Sequence, residues 1–93
     1  MAYSIKYTIQ FKKSLKLCQK RGLDMKAFIK VAQTLSENGK LPETYKPHKL
    51  SGKYRGCWEC HIQSNWLLVW TQNNKELIML FIDTGTHADL FGN

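Results

Sequence analysis

The hydrophobic period changes part-way along this chain, and that switch narrows the fold more than any other feature. From Phe11 to Leu35 apolar side chains recur at helical spacing, whereas from Tyr54 to Asp83 they alternate as strands do. Phe11, Leu15 and Cys18 form one stripe and Lys12, Lys16 and Lys20 another, the pattern of an amphipathic helix with a basic face. Gly22 interrupts it. Asp24 then stands where it can cap a second helix, in which Met25, Phe28, Ile29, Ala32 and Leu35 carry the apolar repeat towards Gly39 and Pro42. A short alternating stretch, Tyr3 to Thr8, precedes this helical hairpin as a strand.

Leu41 to Gly52 has no period and is rich in Pro, Thr, Lys and Ser, which predicts a surface loop carrying His48. Three strands are expected after it, at about Tyr54 to Ile62, Trp66 to Gln72 and Glu76 to Asp83. Gln63-Ser64-Asn65 and Asn73-Asn74 join them, and a turn of helix follows near Ala88 to Phe91. The order β-α-α-β-β-β over residues 1–93 predicts a single α+β domain, an antiparallel sheet of about four strands with the hairpin packed on one face. Alternation places Tyr54, Trp58, Cys60 and Ile62 under the helices and Arg55, Cys57, Glu59 and His61 on the opposite face. Trp66, Leu68 and Trp70 share one side of the next strand, where core packing is the expected role.

Charge is unevenly spread. Of the 14 Lys and Arg, 13 fall in residues 1–55 beside three acids, a net +10 that leaves −3 for the remainder. A basic half of this strength fits a nucleic-acid or acidic-protein partner, and it also fits a plain solvated face. The longest apolar run, Leu77 to Ile82, is far too short to span a bilayer, and the first residues lack a charged segment followed by an apolar one. A cytoplasmic protein is therefore expected, with Cys18, Cys57 and Cys60 as reduced thiols.

The chemistry concentrates in Thr84-Gly85-Thr86-His87-Ala88-Asp89-Leu90-Phe91-Gly92-Asn93, taken with His48 and His61. RNA cleavage by its own 2′-hydroxyl needs a base, an acid for the departing 5′-oxygen and cations to offset charge developing on the phosphate. Histidines serve the first two roles near neutral pH, and Arg55, Lys53 or Lys49 the third. Phe91 suits stacking on an extruded base or anchoring the tail in the core. Cys57-Trp58-Glu59-Cys60-His61 matches the haem-attachment pattern, but a strand would splay its thiols to opposite faces. A metal-dependent hydrolase built on His48, His61 and His87, or a non-catalytic basic RNA-binding module, stays open on the residues alone.

Four stretches carry a family resemblance: Tyr45-Lys46-x-His48-x-Leu50-x-Gly52, Gly56-x-x-Glu59-Cys60-His61-Ile62, Trp66-Leu67-Leu68-Val69 and the terminal segment from Thr84 to Gly92. In that order they resemble the YafQ branch of the RelE-type toxins of bacterial type II toxin–antitoxin systems. The resemblance spans essentially the whole chain. It implies a ribosome-dependent endoribonuclease that cuts mRNA in the A site without metal or other cofactor, and a DinJ-like acidic antitoxin in a hetero-oligomeric complex. By position it implies that His48, His61 and His87 are catalytic, that Trp66 is an active-site tryptophan, and that Phe91 contacts substrate. Asn65 stands where such toxins commonly carry aspartate, and Trp58 where many have arginine. An amide orients a neighbour through hydrogen bonds but cannot act as a carboxylate base.

Overall fold

The computed structural model describes residues 2–92; Met1 and Asn93, the last residue of the terminal motif, lie outside them. The elements are β1 (Ser4–Tyr7), α1 (Ile9–Lys20), α2 (Met25–Asn38), β2 (His48–Lys49), β3 (Trp58–Gln63), β4 (Trp66–Asn73), β5 (Ile78–Gly85) and α3 (His87–Phe91). Single 3₁₀ turns occur at Glu43–Tyr45 and Gly52–Tyr54. Thr8 begins α1 by accepting the Phe11 amide at 2.9 Å, and its hydroxyl donates to the Ile82 carbonyl at 2.9 Å, so one residue ties the helix start to β5. Asp24 caps α2 through the Lys26 amide at 3.0 Å.

The strands form one sheet in the order β1-β5-β4-β3-β2. It has five strands, one more than the periodicity suggested, because the two residues of β2 are too few to show a period. Pairing is antiparallel except at the β1 edge, which runs parallel to β5 from Ser4 beside Ile78 to Tyr7 beside Phe81. The last hairpin is longer than expected. Asn73 accepts the amides of Lys75 and Glu76 at 3.0 and 2.9 Å, and Leu77 takes φ 57°, so β5 starts at Ile78 and not at Glu76.

The main core lies between the hairpin and the sheet. Phe11, Cys18, Phe28, Val31 and Leu35 meet Cys60, Ile62, Trp66, Leu68, Trp70, Met79 and Phe81 there. A second, smaller cluster on the other face joins Cys57, Leu67, Val69 and Leu90, flanked by Leu50, Tyr54, Ile82 and Phe91. Both faces of the central strand are thus covered, and Trp66 to Trp70 are all buried. Tyr54 belongs to this second cluster and not under the helices, because the turn at Gly52–Tyr54 and the left-handed Gly56 (φ 86°) interrupt the alternation before β3 begins. Cys57 and Cys60 do face opposite ways. Among the described residues no helix is long and apolar enough to cross a membrane.

Gly39 closes α2 with φ 70°, and a Cβ there would sit 2.6 Å from the Tyr3 ring. Backbone strain and the displaced tyrosine act in the same direction. Gly39→Ala is expected to lower unfolding stability by about 1–2 kcal/mol, read as a shifted urea midpoint at unchanged slope.

Candidate active site

Two cross-strand rows on the face away from the hairpin assemble the site. The first runs His48, Glu59, Val69 and Asp83, and the second His61, Leu67 and Gly85. Residues two apart along a strand share a face, so Glu59 and His61 lie side by side on β3. The second row ends two residues before His87. By register all three histidines therefore lie towards one end of that face.

His48 is in the edge strand β2, not in a free loop. Its Nδ1 lies 2.9 Å from the Lys46 carbonyl oxygen and its Nε2 lies 3.1 Å from Glu59 Oε1. Both ring nitrogens face oxygen acceptors, so the imidazole donates on both sides or Glu59 supplies one of the protons. Glu59 is only 5% exposed, and its other oxygen, Oε2, is buried without a hydrogen-bond partner. A buried carboxyl needs hydrogen-bond partners, and the His48 imidazole is the one that reaches it. Sequence reasoning put Glu59 on the correct face but gave it no role. Its register opposite His48 became visible only once β2 was known to exist.

The C-terminal part is built on α3. Thr86 accepts the Asp89 amide at 3.1 Å while Asp89 accepts the Thr86 amide at 2.9 Å, a reciprocal cap that starts a helix of only five residues. His87 follows the cap and is exposed. Its ring lies 4.8 Å from that of Phe91, which meets Tyr54 edge-on at 5.7 Å. Phe91 is half-buried against the second cluster, as a tail anchor would be, and part of its ring stays accessible. Asn65 reaches in from the β3–β4 turn and accepts the His87 amide at 3.4 Å. Tyr54 donates to Asp83 at 3.5 Å, and burial followed by the Asp83 charge raises its phenol above the ordinary value.

Three expected substrate contacts have other work. Trp66 is 1% exposed in the main core, where its indole nitrogen donates to Thr84 Oγ1 at 2.9 Å, and it has no surface to offer a ligand. Lys49 follows His48 in β2 and points to the other face, its ammonium 5.7 Å from the centre of the Trp58 ring. Lys53 donates to the Leu90 carbonyl at 3.3 Å and lies 5.2 Å from the Tyr54 ring centre, tethering α3. Arg55 is exposed beside Gly56, and Lys46 lines a groove with His61, Thr44 and Tyr45. Burial pushes the Cys18, Cys57 and Cys60 thiols up, which keeps them from acting as nucleophiles. Among the described residues no group of three or more His, Cys, Asp or Glu side chains is placed to hold a metal ion.

Residues 3–92 match the family described as the bacterial toxin of type II toxin–antitoxin systems, YafQ. The chain belongs to the YafQ toxin family. It is 40% identical to the mRNA interferase toxin YafQ of Escherichia coli K12 over 90 residues, 95% of each chain. The crystal structure of E. coli YafQ with a histidine-to-glutamine substitution superposes with a TM-score of 0.89 at 35% identity, covering 97% of this chain and 99% of that one. YafQ in the E. coli DinJ–YafQ toxin–antitoxin complex superposes with a TM-score of 0.87, also at 35% identity, over 99% and 100% of the two chains. The YafQ likeness therefore includes the terminal segment on which His87 and Phe91 stand.

The contact between His48 and Glu59 has a direct spectroscopic test. Glu59→Gln keeps the side-chain shape but replaces the carboxylate that faces His48 Nε2, so the hydrogen bonding and tautomer of the imidazole are expected to change. Imidazole ¹⁵N shifts at neutral pH read that change. Identical His48 shifts in the two proteins would show that Glu59 does not govern the ring.

Proposed function

We infer that this YafQ family member is a ribosome-dependent endoribonuclease that cleaves mRNA in the A site and is neutralised by an acidic antitoxin of the DinJ type. The carrying observation is the arrangement of the three histidines towards one end of the sheet face away from the hairpin, with His87 on a capped helix beside the Phe91 ring. Family membership and the mRNA interferase name of the E. coli relative support the same reaction.

In this reaction the 2′-hydroxyl loses a proton and its oxygen attacks the adjacent phosphorus. The bond from phosphorus to the 5′-oxygen breaks, and the leaving oxygen takes a proton, giving a 2′,3′-cyclic phosphate and a 5′-hydroxyl. His61 takes the base role, since both nitrogens of His48 already face acceptors. His87, exposed at the start of α3, serves as the acid. His48 and Arg55 offset charge developing on the phosphate, with Lys46 beside His61 at the groove wall. The remaining face of Phe91 accepts a base by stacking, as aromatic platforms do for splayed nucleotides. The basic N-terminal half, +10 over residues 1–55, supplies the attraction to ribosomal RNA and to an acidic antitoxin.

His87→Ala is expected to leave the circular-dichroism spectrum and melting temperature close to those of the parent while slowing single-turnover cleavage of ribosome-bound mRNA by about 100-fold or more. A folded variant that cleaves at the parental rate removes His87 from the mechanism. Asn65→Asp is expected to change that rate by less than about tenfold, because a carboxylate oxygen can replace the amide oxygen that accepts the His87 N–H. A gain of a hundredfold would instead assign a proton-transfer role to the aspartate found in relatives.

A further inference from the structure

We propose that Arg21, at the far end of α1, is a positioning residue of the active site, holding His87 and Phe91 in place through Asp89. The inference rests on the proposed RNA cleavage and adds a residue that no motif in the site suggests.

A five-residue helix cannot hold its shape alone, because one turn fixes many backbone angles for very few hydrogen bonds. Its position must come from contacts outside it. Leu90 is buried and fixes one side, but His87 and Phe91 stand on either side of Asp89, whose contacts set how α3 is rotated. The Arg21 guanidinium grips both oxygens of Asp89, Nη1 to Oδ2 at 2.6 Å and Nη2 to Oδ1 at 3.3 Å. Oδ2 also accepts the Thr86 amide at 2.9 Å, so the carboxylate that caps α3 is the one Arg21 holds. Arg21 with the cap draws the Asp89 carboxyl down to about 2.

Gly85 completes the fit. A Cβ at that position would lie 2.8 Å from Asp89 Oδ2 and 2.9 Å from its Cβ, so the Asp89 side chain occupies the space that glycine leaves open. The carboxylate is thereby confined from three sides, by Gly85, by the Thr86 amide and by Arg21. The two charged side chains are 40% and 30% exposed, a setting in which an ion pair adds little to global stability. A fork-to-carboxylate contact in such a setting supplies direction more than energy. Arg21 is the C-cap of α1, whose preceding turn carries the buried Cys18, so the main core determines where its guanidinium can reach.

The test uses Arg21→Gln, Arg21→Lys, Asp89→Asn and the Arg21→Gln/Asp89→Asn double variant. Single-turnover cleavage of ribosome-bound mRNA, ribosome affinity and amide exchange over residues 86–92 are measured on each. Arg21→Gln is expected to slow cleavage by about five- to twentyfold, to leave ribosome affinity within about twofold, and to speed exchange in α3. Arg21→Lys should recover part of the rate, and the double variant should be no slower than Asp89→Asn, since both changes break one contact. Parental cleavage and parental exchange in Arg21→Gln would overturn the proposal. A loss traced to ribosome affinity with α3 exchange unchanged would also overturn it, making Arg21 a docking cation. Should Asp89→Asn fail to fold, the Arg21 variants and the exchange data decide alone. A parent chain that cleaves nothing would refute the proposed reaction, while exchange over residues 86–92 would still report whether Arg21 holds α3.

Discussion

The Thr84 hydroxyl lies at the join between the two halves of this molecule. It accepts from the Trp66 indole at 2.9 Å and donates to the Leu67 carbonyl at 2.6 Å, so it connects the first residues of β4 to the last residues of β5 inside the protein. The hydroxyl and the indole are both nearly inaccessible to water, where an unpaired donor costs about 1–3 kcal/mol. The geometry is correspondingly strict. The residues around this bond are the ones the site needs in place: Asn65 immediately before Trp66, and Gly85, Thr86 and His87 immediately after Thr84. Trp66, an active-site tryptophan by the family resemblance, thus stands inside the protein, joined to Thr84.

The parts of the fold that were legible in the sequence are those with several repeats of a period. The helices at Phe11 and Phe28, their Asp24 cap and the opposed faces of Cys57 and Cys60 follow from spacing alone. The strand β2 does not, because two residues have no period and its existence depends on pairing with Glu59 and Trp58 further along the chain. His48 accordingly read as a loop residue, and Glu59 as an ordinary member of a polar face. Tyr54 was misassigned for a related reason, since a turn before β3 resets the alternation that had been extended through it.

The site shows the same division. The histidines drew attention by their own chemistry, and strand register sets them towards one end of the same face. The cations did not sort themselves by sequence. Lys49 and Lys53 differ by four positions, yet one lies over Trp58 on the hairpin side and the other ties down the terminal helix. Their fates are decided by strand direction and by a carbonyl 37 residues away, neither of which local composition records.

The parallel edge has a consequence for how the protein comes into being. Among the described residues β1 pairs with β5 alone, with Ser4 set beside Ile78 and Tyr7 beside Phe81. Contacts so far apart in the chain form late, since their loop-closure entropy is lost before they contribute any stability. During synthesis the helical hairpin can form early, but the sheet that supports the site must wait for Ile78–Gly85 to emerge. His87 and Phe91 follow β5 in the chain, so they too arrive after the hairpin. The hairpin is therefore in place before the face that carries the histidines exists, and the candidate site takes shape only as the sheet closes.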